Sequence, residues 1–225
     1  AYYNADNVVV SFAGNITLEE AELLTERYFE PFVSREKSNS LIINQESNLG
    51  GRIARNKEIE QLHLALGFTG VKYDAETADE SAAFNVALGS GMSSRLFQTV
   101  REKLGLCYTI YSYPSGYRNT GSLAVYAGVN KQSVNKAYDA VFEVLKGFKR
   151  DGVSETELSR AKAQILSSFE FGGESTASQM MLFGKYLLFT DKIFDFDKKI
   201  ERINSVSSRS VNDFIATVDF NRFSL

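Results

Sequence analysis

Arg101 and Tyr108 are the two residues of this sequence whose types and positions are hardest to explain by packing alone. Both side chains end in hydrogen-bond donors, a guanidinium and a phenol, that could hold a polar group of a ligand. They lie in the segment SSRLFQTVREKLGLCYTIYS, residues 93–112. On pattern alone, an exposed arginine and a core tyrosine explain the pair better, and both interpretations stay open at this point.

The elements around the pair are expected to bring the two side chains together. The apolar spacing of residues 93–104 predicts an amphipathic helix, and Gly105 suits the left-handed residue that caps such a helix. Leu106 supplies the apolar contact that accompanies this cap, and a strand follows at once. Because the chain reverses at Gly105, we expect Arg101 and Tyr108 to project toward the same neighbourhood.

Metal and nucleophilic chemistry depend on the single histidine, His63, and the single cysteine, Cys107. No H-E-x-x-H, H-x-x-E-H or C-x-x-C motif occurs, so a zinc site with its usual ligands cannot be built from this chain. A Ser-His-Asp or Cys-His arrangement would need His63 as its base, and no G-x-S-x-G motif accompanies it. We therefore interpret His63 as a strand residue on the less apolar face of a sheet. The segment GSGMSS lacks the G-K-[ST] ending of a phosphate loop and is better explained as a helix entry.

Composition argues against several classes of function. A formal net charge of −3 and a pI near 5.4 argue against a nucleic-acid surface. No apolar run approaches the roughly 18 to 20 residues that a membrane helix needs, and the first residues show no signal-peptide pattern. Cys107 has apolar neighbours and is expected to be a small buried hydrophobe. A lone cysteine fits a reducing compartment, so we expect a cytoplasmic location.

The start of the chain is expected to hold a strand, a helix and a linker. Residues 8–13 form a short apolar run that is typical of a buried strand. Thr17 followed by Glu20 predicts a capping box at the start of a helix, which Pro31 would end. Residues 34–50 are polar and are the best candidate for a linker.

The remainder of the chain predicts an α+β fold. Leucines alternate with smaller or polar residues over 58–68, which predicts a strand with one apolar face. A helix is expected over 74–89, and a β-hairpin with strands at 107–113 and 121–129. From Val134 onward the periodicity is helical. We therefore expect a mostly antiparallel sheet with helices packed on one face.

Five segments, spread over most of the chain, carry a family resemblance. The most specific is LGSGMSSRLFQTVREKLGLCYTIYS, residues 88–112. The others are NVVVSFAGNIT, EQLHLALGFTG, NTGSLAVYAGV and SRAKAQILSSFEFGGES. Together they resemble the zinc peptidases of the pitrilysin and insulysin type, which include the mitochondrial processing peptidases and similar bacterial proteins. In that family an N-terminal domain carries an inverted H-x-x-E-H zinc motif, and a homologous C-terminal domain closes over it. This chain resembles the C-terminal half.

The resemblance implies a division of the chain into three parts. Residues 1–33 would be the last strand and helix of a truncated N-terminal peptidase domain, 34–50 the linker, and 51–225 the C-terminal peptidase-family domain. The zinc motif would then lie upstream of this sequence. Zinc is therefore expected in the intact enzyme and not in this chain, which alone should be inactive.

The resemblance also implies roles for individual residues. Arg101 and Tyr108 match the spacing of an arginine and a tyrosine that contact the substrate backbone near the scissile bond. They would donate to a peptide carbonyl, on which charge grows as water attacks. The less apolar sheet face, with Gln61, His63 and Tyr126, would line the substrate chamber.

Partners follow from the same resemblance. We expect a peptide substrate and a zinc-bearing N-terminal domain or subunit, with a homodimer as a further option, and neither nucleic acid nor membrane. The alternative is a non-catalytic scaffold or partner subunit of the same fold that binds peptides. An H-x-x-E-H motif upstream of this sequence would favour the enzyme, and a protein that starts near Ala1 would favour the subunit.

Overall fold

The computed structural model describes residues 5–30 and 50–225, and an antiparallel sheet lies at the centre of this part of the chain. Its strands are β1 Gln61–Thr69, β2 Cys107–Gly116, β3 Gly121–Asn130 and β4 Phe223–Ser224. Their order in the sheet is β2-β3-β1-β4, and every neighbouring pair is antiparallel. With the helices described below, the sheet confirms the predicted α+β fold.

β1 has one buried and one open face, as its alternating sequence predicts. Leu64, Leu66 and Phe68 are buried, whereas His63 and Ala65 are exposed. The alternation follows from the two-residue period of a strand, which turns successive side chains to opposite faces of the sheet. The prediction that His63 lies on the less apolar face is therefore confirmed.

Helices form most of the other regular structure in the described residues. They are α1 Leu18–Phe29, α2 Ala78–Gly89, a π-helix Phe97–Lys103, α3 Val134–Asp151, α4 Glu155–Glu174, α5 Thr176–Thr190, α6 Phe196–Ser205 and α7 Ser208–Thr217. α4 continues through Gly172 and Gly173, where the sequence favours a break, and ends one residue later. Within the described ranges, no helix has the length and apolar character needed to span a bilayer.

The buried face of the sheet is covered by α2, α3 and α7, whose aromatic rings meet around Phe84. Phe84 of α2 lies edge-on to Phe148 of α3, with ring centroids 5.1 Å apart, and its centroid is 6.2 Å from that of Phe214 of α7. Leu66 of β1 and Val125 of β3 are buried in the same cluster. α2, α3 and α7 therefore pack on one face, and side chains such as His63 and Tyr111 on the opposite face are exposed.

α2 approaches β2 closely at its last residue, Gly89. A Cβ atom at this position would lie 2.5 Å from the backbone nitrogen of Ser112 in β2. The buried Ser112 hydroxyl donates a hydrogen bond of 2.8 Å to the side-chain oxygen of Asn85, one turn earlier in α2. The absence of a side chain at Gly89 thus sets the distance between helix and strand.

β4 pairs with the edge of β1 that β3 leaves free. It lies opposite Gly67 and Phe68 of β1. Leu225 extends the pairing to a different segment, because its N–H donates to the carbonyl of Gly51 and its carbonyl accepts from the N–H of Ile53, each at 2.7 Å. Residues 51–53 and 223–225 are thus neighbours, although the rest of the sheet lies between them in sequence.

The chain divides into two compact units. One comprises residues 1–42 and 167–199, and the other comprises residues 43–166 and 200–225. In the first unit, the Ser11 hydroxyl donates to the Met180 carbonyl at 2.9 Å. The second unit holds the whole sheet and the core around Phe84.

The capping box predicted at the first helix is confirmed. The Glu20 carboxylate accepts a hydrogen bond of 2.9 Å from the backbone N–H of Thr17, while the Thr17 hydroxyl accepts from the N–H of Glu20. α1 therefore begins at Leu18. None of its side chains is buried within the described structure.

The predicted strand over residues 8–13 is wrong. This segment pairs with no strand of the described residues, and Val10 and Phe12 are at least a third exposed. An apolar run forms a strand only where a neighbour satisfies its backbone hydrogen bonds, which residues 5–30 and 50–225 do not provide here. The predicted linker, 34–50, lies outside the described residues except for its last position. The division into three parts stays a prediction.

Candidate functional site

The segment that carries Arg101 winds as a π-helix rather than as the α-helix that its apolar spacing predicts. The backbone N–H of Gln98 still donates to the residue four positions earlier, but the N–H of Leu104 donates to the Thr99 carbonyl, five positions earlier, at 3.1 Å. Turns of this kind are rare in proteins and frequent at functional sites. The Arg101 guanidinium is exposed and lies 4.6 Å from the centroid of the Phe97 ring.

Gly105 ends this helix, as the sequence predicts. Its φ is +60°, in the left-handed region that favours glycine, and its N–H donates to the Arg101 carbonyl at 3.0 Å. The next N–H, of Leu106, donates to the Val100 carbonyl at 3.0 Å, and the Leu106 side chain packs against the core. The chain therefore reverses sharply between Arg101 and the start of β2.

A β-bulge at the start of β2 determines where Tyr108 points. Cys107 lies opposite Val129 and Thr109 lies opposite Gly128, so Tyr108 is an extra residue without a partner in the ladder. Cys107 is buried, as expected, whereas Tyr108 is 62% exposed. The interpretation of Tyr108 as a core residue is therefore wrong, because the bulge turns the phenol out of the core.

The structure places Arg101 and Tyr108 on the two sides of the reversal at Gly105, with both side chains exposed. The Arg101 charge also reaches the first residue of β2. Burial raises the pKa of the Cys107 thiol, and the positive charge of Arg101 opposes that rise. A cation and a phenol are therefore exposed on adjoining segments of the chain.

A row of aromatic side chains crosses the open face of the sheet. The Tyr126 hydroxyl and His63 Nδ1 share a hydrogen bond of 2.5 Å, which links β3 to β1. The Tyr126 ring centroid lies 5.0 Å from that of Tyr111, and the Tyr111 centroid lies 5.9 Å from that of Tyr113. Sequence reasoning assigned His63 and Tyr126 to this face but missed Tyr111 and Tyr113. Their alternation in the segment YTIYSYPS was a usable signal.

The side chains that β1, β2 and β3 direct to the open face of the sheet carry no formal charge. The outward residues of β1, β2 and β3 are Gln61, His63, Ala65, Gly67, Thr69, Thr109, Tyr111, Tyr113, Ser115, Ser122, Ala124, Tyr126, Gly128 and Asn130. None of them is an aspartate, glutamate, lysine or arginine. Small residues flank the aromatic row, since Ala65 lies opposite Tyr126 and Gly128 lies opposite His63. The face is therefore a neutral surface of aromatic rings beside small residues.

Arg95 connects the segment that precedes the π-helix to the turn between α3 and α4. Its guanidinium donates to both carboxylate oxygens of Glu157, at 2.6 and 2.7 Å, and to the Gly152 carbonyl at 2.6 Å. It also lies 3.9 Å from the centroid of the Phe148 ring. The ion pair joins residues 62 positions apart, and no local pattern indicates it.

The electrostatic environment of Glu157 reflects these contacts. Burial alone would raise the pKa of its carboxyl, but hydrogen bonds from Arg95 and from the N–H and hydroxyl of Ser154 bring it down from 4.5 to about 2. The Glu157 side chain is 22% exposed and that of Arg95 is 25% exposed. The pair is therefore charged at neutral pH and only partly screened by solvent.

The residues that the structure describes do not fit a zinc ion. In the described ranges, no three histidine, cysteine, aspartate or glutamate side chains come together in a way that could hold a metal. His63 faces the open side of the sheet, while Cys107 faces the core on the other side. The single histidine and the single cysteine thus point in opposite directions and cannot share a metal ion.

Comparisons with known proteins agree on one family. Residues 1–165 match the family described as the peptidase M16 inactive domain. The uncharacterized zinc protease YmxG of Bacillus subtilis is 36% identical over 211 residues, which cover 94% of this chain and 51% of that protein. The chain therefore spans about half the length of this relative.

Two solved structures share the fold. A protease from Helicobacter pylori superposes with a TM-score of 0.82 at 17% identity, covering 94% of this chain and 52% of the other. The peptidase M16 inactive domain from Pseudomonas fluorescens superposes with a TM-score of 0.79 at 18% identity, covering 94% of this chain and 50% of the other. Both contain the α+β arrangement that the sequence predicts.

Proposed function

Because this chain belongs to the peptidase M16, or pitrilysin, family as its inactive C-terminal domain, we propose that it is the substrate-positioning half of a zinc-dependent endopeptidase that acts on peptides or unfolded proteins. The observation that carries this proposal is the exposure of both Arg101 and Tyr108 on the two sides of the Gly105 reversal. The Tyr108 phenol is 62% exposed, and the Arg101 guanidinium, although it lies 4.6 Å from the Phe97 ring centroid, is also exposed.

The chemistry of the pair suits a peptide carbonyl. The guanidinium and the phenol both donate hydrogen bonds and cannot accept the proton of an attacking water in their usual states. Donors that are already in place stabilise an oxygen best when its negative charge grows during the reaction. Arg101 and Tyr108 would therefore hold the carbonyl of the bond to be cleaved and stabilise the charge that develops on it.

The open face of the sheet supports the same function. An extended peptide is neutral along its backbone, and the open face presents hydroxyl, amide and aromatic groups without formal charge. Tyrosine offers a large apolar surface and a polar tip at a low cost in side-chain entropy. We propose that the row from His63 to Tyr113 lines the chamber in which the substrate lies.

Zinc would come from a partner. The part of the chain that the structure describes holds no residues that fit the metal, and the chain covers about half of YmxG, a relative described as a zinc protease. We propose that a zinc-bearing N-terminal domain or subunit pairs with this domain. The role of this chain is then to bind and orient the peptide rather than to supply a metal ligand.

The test is cleavage by the intact peptidase, or by this chain reconstituted with its zinc-bearing half. Tyr108→Phe removes only a hydroxyl, and Arg101→Ala removes an exposed guanidinium. Each should lower kcat about a hundredfold, equivalent to about 3 kcal/mol in barrier, because one donor to the developing charge is lost. The melting temperature should change little, as is usual for exposed positions.

Tyr117→Phe and Arg160→Ala are the matched controls, since they make the same changes at exposed positions in the β2–β3 turn and on α4. Both should cleave at the parent rate. If Tyr108→Phe and Arg101→Ala also cleave at the parent rate, the proposed substrate contact is wrong.

The second candidate is a non-catalytic subunit that binds peptides. The description of the matched family as an inactive domain favours it. Titration with a fluorescent unfolded peptide separates the two functions. In the scaffold case, Arg101→Ala would weaken peptide binding while cleavage by any zinc-bearing partner kept its parent kcat.

A further inference from the structure

We infer that Arg95 is a positioning residue, which fixes Arg101 and Tyr108 by fastening the start of the π-helix to the turn between α3 and α4. The inference rests on the proposed function, because it takes Arg101 and Tyr108 as the substrate contacts. Arg95 itself touches no proposed substrate group. Its contacts are with Glu157, Gly152 and Phe148, on the two helices that follow the hairpin.

The contacts of Arg95 form a rigid anchor. The planar guanidinium donates in parallel to both oxygens of the Glu157 carboxylate, a geometry that lysine cannot reproduce. A third hydrogen bond reaches the Gly152 carbonyl, and one face of the guanidinium rests on the Phe148 ring. Phe148 is buried and packs edge-on against Phe84, so the anchor connects directly to the core of the sheet-bearing unit.

A second contact fastens the loop before Arg95 to the same helix. The side-chain amide of Gln164 donates to the Ser90 carbonyl at 2.7 Å. Gln164 lies two turns beyond Glu157 on α4, so these residues share one face of that helix. Residues 90–95 are therefore held at both ends by α4.

The π-helix makes this anchor relevant to function. Its hydrogen bonds span five residues instead of four, so each residue turns through a smaller angle than in an α-helix. The far end is fixed by the bonds of Gly105 and Leu106 to Arg101 and Val100. With Arg95 holding the N-terminal end, the π-helix is fixed at both ends, so its side chains point in defined directions. If the N-terminal end were released, a return to α-helical bonding would rotate Arg101 about the helix axis.

The π-helix has a buried side and an exposed side, and the contacts of Arg95 maintain this orientation. Leu96 and Val100 are completely buried, whereas Arg101 and Leu104 are exposed. A rotation that moved Arg101 would also move Val100 out of its buried site or displace the helix cap at Gly105. The directions of Arg101 and Tyr108 are therefore coupled through the winding of this segment, and Arg95 acts on both through it.

The experiment compares variants of the intact peptidase, or of this chain reconstituted with its zinc-bearing half. Arg95→Ala should lower kcat about tenfold or more, because a small misplacement of substrate-positioning groups is costly. The same change should add little in an Arg101→Ala/Tyr108→Phe background, since Arg95 acts through these two residues. Arg95→Lys keeps a charge for Glu157 but lacks the fork, and should restore only part of the rate.

A second readout does not depend on activity. Amide hydrogen exchange of residues 97–106 should speed up about tenfold or more in Arg95→Ala, because the winding loses its fixed end. Arg202→Ala is the matched control, because Arg202 makes an ion pair of 2.8 Å with Asp79 on other elements. It should leave both kcat and exchange in residues 97–106 unchanged. If Arg95→Ala does not fold, Glu157→Gln provides the same test, since its amide oxygen can still accept from Ser154.

The outcomes separate this inference from the proposed function. Unchanged exchange in residues 97–106 of Arg95→Ala would overturn the inference, whatever the cleavage rate. A full tenfold loss on adding Arg95→Ala to the Arg101→Ala/Tyr108→Phe double variant would overturn it as well, because Arg95 would then act independently of both residues. A parent rate for Arg101→Ala alone would instead overturn the proposed function.

Discussion

Tyr108 is exposed because one residue of β2 has no partner across the ladder. Without the bulge, strict alternation from Ile110 and Ser112, both buried, would turn Tyr108 toward the helices. A phenol buried there would need a hydrogen-bond partner inside the core. One extra residue thus converts a core position into a position available to a ligand.

Glu157 gives the fold a specific dependence on acidity. The pKa of its carboxyl falls from 4.5 to about 2 on folding, so the folded state holds the proton less tightly than the unfolded state. Its contribution to stability is complete above about pH 4.5 and disappears as the pH falls toward 2. We expect Glu157→Gln to be less stable than the parent by on the order of 1 to 3 kcal/mol at pH 7, discounted for partial exposure.

The measurement is urea unfolding of the parent and Glu157→Gln from pH 7 to pH 3. The difference between them should shrink below about pH 4.5, because the unfolded parent then takes up a proton on Glu157 while the folded parent does not. A difference that stays constant over this range would show that folding does not lower the pKa of Glu157.

Leu96 and Leu104 flank the π-helix and differ in burial, so their truncation should differ in its effect on stability. Leu96 is fully buried, and Leu104 is 52% exposed. Leu96→Ala should cost about 2 to 5 kcal/mol of unfolding free energy because it leaves a cavity. Leu104→Ala should cost about 1 kcal/mol or less. Thermal or urea unfolding of both variants checks this, and equal losses would contradict the described winding.

At the scale of elements, packing distances depend on a few small residues, and α2 shows this at Gly89. Alanine favours a helix over glycine by about 1 kcal/mol, yet a Cβ at Gly89 would meet the backbone of Ser112 at 2.5 Å. Because the neighbouring atom is backbone, the helix or the strand must move. Helix propensity alone would predict that Gly89→Ala stabilises the protein.

We expect Gly89→Ala to destabilise the protein by about 1 to 3 kcal/mol through overpacking. Gly147→Ala is the control within α3, since nothing lies within 4 Å of a Cβ built there. It should stabilise the protein by about 0.5 to 1 kcal/mol. Calorimetric melting of both variants measures the two signs, and a stabilising Gly89→Ala would refute the close approach of α2 to β2.

The elements that the sequence predicts correctly are those with a strong local signal. The alternation of β1, the capping box at Thr17 and the left-handed Gly105 each depend on a few neighbouring residues. The bulge at Tyr108 and the pairing of Arg95 with Glu157 depend on residues far away in sequence, so local patterns could not predict them. The predicted strand over 8–13 failed for the same reason, since pairing requires a neighbour that the segment itself does not contain.

At the scale of the whole molecule, this chain is expected to be one half of a working unit. It matches about half of the length of YmxG, and no residues in the described ranges come together in a way that could hold zinc. Under the proposed function, peptide positioning and metal chemistry would lie in different halves, which would have to meet before cleavage could occur.

We expect the purified chain to bind less than about 0.1 zinc per molecule after dialysis and to cleave no peptide, because one histidine and one cysteine cannot make a tetrahedral site. Mixing it with a zinc-bearing half should produce cleavage. Elemental analysis and a fluorogenic peptide assay check both statements. One tightly held zinc per isolated chain would contradict the assignment of the metal to a partner.

The pairing of residues 223–225 with β1 and with residues 51–53 has a consequence for synthesis on the ribosome. β1 is made before the hairpin and the helices α2 to α7, whereas β4 is made after them. Until then, Gly67 and Phe68 present an open edge to neighbouring nascent chains on the same messenger RNA. The Phe68 ring also lacks Phe220 and Phe223, whose centroids lie 5.4 and 6.1 Å away in the finished fold. We therefore expect ribosome stalling before residue 223 to produce chains that aggregate through β1, whereas synthesis of residues 223–225 lets each chain close its own edge.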